Sequence, residues 1–108
     1  MINIIFEFGM ENVEVKVDGG SVLFRTKQTQ QYATIEGLRL SHSGVLKEFP
    51  DLAGKENWKE EAIKRFKENI SQMRTEIDIA EYLMDDLKKF GYKPLYWQKA
   101  GHRPIKLK

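Results

Sequence analysis

Rings and cations interleave near the end of this chain, where Tyr92, Tyr96 and Trp97 stand among Lys93, Lys99, His102, Arg103, Lys106 and Lys108. Lysine and arginine neutralise phosphates, and a ring face gives an unpaired base a surface to stack on. Lys93, Tyr96, Lys99, His102, Arg103, Lys106 and Lys108 are therefore the candidate nucleic-acid-binding set, with RNA or DNA as the expected partner. In it Tyr96 would stack a base and His102 would add a donor. Contacts of this kind hold a backbone without reading base sequence. The same residue types also have structural uses, because aromatic residues in strands pack and alternating lysines keep an edge strand soluble.

Charge concentrates in the same place. Residues 1–86 hold 11 Lys/Arg against 16 Asp/Glu, whereas residues 87–108 hold seven Lys/Arg and no acid, within a chain of formal net charge +2. A sign asymmetry of this kind points to nucleic acid, an anionic surface or an acidic partner. Lys88 and Lys89 also sit where a helix C-terminus favours cations.

Elsewhere the residue types argue against catalysis. With no cysteine there is no thiolate nucleophile, disulfide framework or Cys-based zinc site. His42 and His102 lie 60 residues apart without a spaced partner, so neither a metal nor another cofactor is expected. Asp85 and Asp86 are neighbours on a helix and project about 100° apart, which is no acid/base pair. Ser41-His42-Ser43 reads as a turn with a helix cap, and no phosphate-cradling glycine loop occurs. The chain reads as a noncatalytic module.

One stretch resembles a known family. The run from Ile79 to Gly91-Tyr92, the strand that follows and Lys99-Ala100-Gly101-His102-Arg103 is similar to the helix, Gly-aromatic, strand and Gly-Ser-His turn of HicA-type mRNA interferase toxins. That resemblance implies a double-stranded-RNA-binding-like fold, RNA contact by the basic hairpin, and a ribonuclease with His102 as its catalytic histidine.

The elements that carry these residues follow from periodicity. Ile2, Ile4, Phe6 and Phe8 alternate, as do Val13, Val15 and Val17, so both segments predict strands. Asp18-Gly19-Gly20-Ser21 predicts a tight hairpin to a third strand at residues 22–26. A turn at 27–31 leads to a fourth strand at 32–40, whose alternation changes phase at Gly37. Val45, Leu46 and Phe49, after a Ser43 cap and before Pro50, predict one or two helical turns. Asn57 with Glu60, and Thr75 with Asp78, have capping-box spacing before two apolar stripes. The first runs through Trp58, Ala62, Ile63, Phe66, Ile70 and Met73, and the second from Ile79 to Phe90, stopping at Gly91. Residues 92–98 predict a strand, 99–102 a turn and 103–108 a return strand, with Pro94 and Pro104 placing both near a sheet edge. Regular alternation puts Lys93, Leu95, Trp97 and Lys99 on one face and Tyr92, Pro94, Tyr96 and Gln98 on the other. Leu95 and Trp97 then enter the core with Ile105 and Leu107, and Tyr96, Lys106 and Lys108 face outward.

Strands segregated from helices predict the α+β class: a four-stranded antiparallel meander, a short helical turn, two amphipathic helices on one sheet face and a basic C-terminal hairpin. At 108 residues and 41% hydrophobic content, this is one domain over residues 1–108. The apolar run Ile4-Ile5-Phe6 is far short of the roughly 20 residues of a spanning helix, which predicts a soluble, cytoplasmic protein with no membrane partner. Trp58, Phe49 and Met73 offer more apolar surface than one sheet needs, so the competing expectation is a homodimer or another protein partner.

Overall fold

Strands β1 (Ile2–Phe8), β2 (Glu11–Asp18) and β3 (Ser21–Thr26) form the meander that the period-two pattern predicts. The computed structural model describes residues 1–27, 31–99 and 101–106. Residues 28–30, most of the predicted turn after β3, lie outside it, as do Ala100, Leu107 and Lys108. A two-residue strand β4 (Ala33–Thr34) borders β3, and β5 (Tyr92–Lys99) returns from the far end of the chain to lie against β1. The sheet order is β4-β3-β2-β1-β5-β6, with β6 (Ile105–Lys106) on the other edge and every pair antiparallel. Strand β1 is thus central, flanked by β2 and β5.

One face of this sheet is the floor of the core. Ile2, Ile4, Phe6, Val13, Val15 and Val17 point there and are buried, as alternation requires when only one face is covered. Helices α1 (His42–Glu48), α2 (Trp58–Ser71) and α3 (Glu76–Asp86) supply the other side of the core through Val45, Ala62, Ile63, Phe66, Ile70, Ile79, Ala80 and Leu83. The fold is α+β, with the helices and the C-terminal hairpin where periodicity puts them. Among the described residues no helix is long and apolar enough to cross a membrane.

Several local expectations are corrected. The predicted fourth strand pairs only at Ala33 and Thr34; Ile35–Gly37 is a 3-10 turn, which sends Ile35 and Leu38, three residues apart, into the core together. That period of three is the phase change at Gly37. The cap of α1 is Ser41, not Ser43: its extended backbone lets Oγ accept the Gly44 N–H at 3.3 Å. Asn57 makes no side-chain cap, because its backbone is not extended. Thr75 does cap α3, accepting the Asp78 N–H at 3.1 Å. The last turn of the second stripe, Leu87–Phe90, tightens to a 3-10 helix and ends on Gly91 at φ 100°. Phe49, Trp58 and Met73 are partly buried, packed against the core.

Candidate nucleic-acid interface

Position along β5 decides which of its side chains meet water together. Lys93 lies opposite Glu7 and Pro94 opposite Phe6, but the next residue of β1, Ile5, faces Tyr96, so Leu95 is an extra residue in the ladder. This β-bulge follows Pro94, which has no N–H to give to a ladder, and it inverts the alternation downstream. Before it, Tyr92 and Pro94 point to the core and Lys93 away; after it, Trp97 and Lys99 take the core-side phase and Tyr96 and Gln98 the outer face. The regular alternation expected for this strand is therefore wrong. Trp97 packs on the core, Leu95 is half-buried at the bulge, and Ile105 is 49% exposed instead of buried; Leu107 lies outside the described residues.

The bulge divides the candidate residues. Lys93 and Tyr96 share the outer sheet face, and Lys106 is paired with Tyr96 in the ladder. Lys99 belongs to the opposite face, at the sheet end nearest Glu76. There the amino group of Met1 at 2.7 Å and the Gly19 N–H at 2.6 Å hold the Glu76 carboxyl below the ordinary carboxylate range, with the Lys99 charge adding to the effect. His102 and Arg103 are exposed in the connection to β6, where the His102 N–H donates to the Lys99 carbonyl and the Gln98 amide donates to the His102 carbonyl, each at 2.9 Å. Lys108 lies outside the described residues. Nearby, Lys89 is committed to Glu48 at 3.2 Å and Asp86 at 3.6 Å.

No family model, curated protein or solved structure matches this chain.

The sheet geometry adds residues the C-terminal pattern does not contain. The outer face carries Ile5, Glu7, Asn12, Glu14, Lys16, Leu23 and Arg25 alongside Lys93 and Tyr96, and none of these nine is buried. Tyr32 lies over it. Its ring is 4.5 Å from the Arg25 guanidinium and 5.0 Å from the Lys16 ammonium, an arrangement in which both cations meet the ring's negative face. Its hydroxyl donates to Glu14 Oε2, while Arg25 reaches Glu14 Oε1 at 3.3 Å. Burial first, and the Glu14 carboxylate second, push the Tyr32 hydroxyl above its ordinary pKa. Between this cluster and β5 runs a groove of about 430 Å³ lined by Ile5, Asn12, Glu14, Arg25, Thr26, Lys27 and Tyr96.

Part of this was accessible in advance. A two-residue turn at Gly19-Gly20 pairs Asp18 with Ser21 and hence Glu14 with Arg25. The approach of Tyr32 and of Tyr96 to that pair was not, since one follows the predicted turn and the other arrives from 70 or more residues downstream. Among the described residues no three His, Asp or Glu side chains are placed to hold a metal ion.

Proposed function

We propose that this protein is a noncatalytic module that holds nucleic acid without sequence preference, using its C-terminal hairpin and the open sheet face beside it. The observation that carries this reading is the shared outward placement of Lys93 and Tyr96, with Tyr96 40% exposed and Lys106 opposite it in the ladder. A cation beside an exposed ring on a surface without buried residues suits a phosphate and a base from one strand. Arg103 extends the cationic edge around the exposed turn, with His102 beside it as a further hydrogen-bond donor. Lys99 contributes little, because it sits on the other face near Glu76.

Filter binding of mixed-sequence RNA and DNA at about 50 and about 200 mM salt tests the proposal. About four phosphate contacts give a single strand roughly a 50-fold loss of affinity over that range. Absence of retention at the lower salt refutes the proposal. Intact RNA must be recovered; cleavage abolished by His102→Ala would replace the noncatalytic reading with the ribonuclease that the HicA resemblance implies.

A second reading is assembly with a protein partner or a second copy. Ile105 favours it, being a half-exposed apolar residue on edge strand β6. Size-exclusion chromatography with light scattering, run beside the binding assay, separates the two: a stable dimer without nucleic-acid retention supports assembly.

A further inference from the structure

The groove on the outer face is built for something flatter and less polar than a phosphate. Its floor is Ile5 and its wall is the Tyr96 ring, both half-exposed and opposite each other in the β1–β5 ladder. Polar groups line the remaining sides: Asn12 and Glu14 from β2, Arg25 and Thr26 from β3, and Lys27 at the mouth. At about 430 Å³ the space is on the scale of small-ligand sites, which run from about 300 to 1,000 Å³. Arg25 and Lys27 line it against Glu14, and Lys93 stands across from Glu7 on the same face, so cations outnumber carboxylates and the surroundings favour an anion. Glu14 is already engaged by Tyr32 and Arg25, which lessens its repulsion of a phosphate.

Building on the nucleic-acid reading, we infer that this groove is a base subsite, and that the partner is a single strand. One unpaired base lies on Ile5 and against the Tyr96 ring, with Asn12 at its edge. Its flanking phosphates reach Lys27 on one side and Lys93 on the other. A duplex cannot do this. Its bases are stacked and paired inside, so no base face is free to lie on Ile5 and the Tyr96 ring, and only base edges and phosphates would meet the protein. The Tyr32 cluster serves as a positioning element: by holding Arg25 against its ring, it keeps that cation on the groove wall.

The test compares one labelled oligonucleotide as a single strand and as one arm of a duplex, by fluorescence anisotropy with the whole protein at low salt. The wild type is expected to favour the single strand by roughly 5- to 150-fold, the range set by stacking one base on an aromatic ring. Tyr96→Ala should abolish that preference, and Tyr96→Phe, which keeps the ring, should retain it. Equal affinity for both probes, or a preference that survives Tyr96→Ala, overturns the subsite while leaving the cationic contacts of the hairpin in place. No binding of either probe overturns both. The single-strand to duplex ratio of the wild type decides the matter even if a variant fails to fold.

Discussion

Lys93 and Lys99 belong to the same strand yet stand on opposite faces of the sheet, because Leu95 is inserted between them relative to the β1 ladder. Six residues of regular strand would have kept them together. The single extra residue turns what reads as one basic surface into two: Lys93 joins Tyr96 and Arg25 on the outer face, and Lys99 joins the neighbourhood of Glu76. The same insertion lets Tyr92 and Trp97, five residues apart, both face the core side.

Gly44 marks the closest approach of α1 to the end of the second helical stripe. A Cβ there would clash with the Lys89 carbonyl oxygen and lie 3.3 Å from Phe90 Cα, and the Ser41 N–H donates to the Phe90 carbonyl at 3.0 Å beside it. Alanine would gain about 1 kcal/mol of helix propensity but forces backbone apart. Gly44→Ala is therefore expected to destabilise the fold by about 2 kcal/mol net, as overpacking does. Urea denaturation with an unchanged m-value checks it; a stability equal to or above wild type contradicts this packing.

Tyr92 joins β5 to the loop before α1. Its hydroxyl donates to the Arg39 carbonyl at 2.5 Å, burial raises its pKa well above the ordinary range, and its ring lies 5.9 Å from Phe6 and 4.4 Å from Phe8. Tyr92→Phe keeps the ring contacts and loses one hydrogen bond, for an expected cost of about 1 kcal/mol. Thermal and urea unfolding of the two proteins would detect that difference, and no measurable loss would mean that water serves Arg39 equally well.

Three exposed carboxylates predict the acid limb of the stability profile. The Lys67 ammonium lowers Glu36 from 4.5 to about 2, Arg65 lowers Asp51, and the Met1 amino group with the Gly19 amide lowers Glu76. Because the folded values are the lower ones, the unfolded chain binds protons first as pH falls. Their stabilising effect is complete above the unfolded values and is lost as pH falls through the folded ones. The melting temperature should start to decline below about pH 4.5 and keep falling towards about pH 2. High salt should shrink the effect, since these pairs are exposed. A melting temperature flat or rising across that window contradicts the assignment.

Much of this fold is legible without coordinates where a single period governs a segment. Val13, Val15 and Val17 alternate without interruption, and Gly19-Gly20 sets the hairpin register; the stripes of α2 and α3 follow the helical repeat. What could not be read off is where the period changes: the 3-10 turn that buries Ile35 and Leu38 together, and the bulge at Leu95. Caps were legible only up to the choice of residue, since Ser41 and Ser43 have the same chemistry and differ in backbone conformation. For the interface, residue type singled out Tyr96 and Lys93. Arg25, Lys16 and Tyr32 were missed because their significance comes from cross-strand neighbours rather than from a run of similar residues.

The most direct measurement sets Lys93→Glu beside Lys99→Glu in a salt titration of single-strand affinity. If the outer face is the nucleic-acid surface, Lys93→Glu should weaken binding about tenfold at low salt and flatten the dependence on salt by at least about 0.7 in slope, while Lys99→Glu changes affinity less than about twofold. Equal losses for the two variants, or a larger loss for Lys99→Glu, would contradict the account.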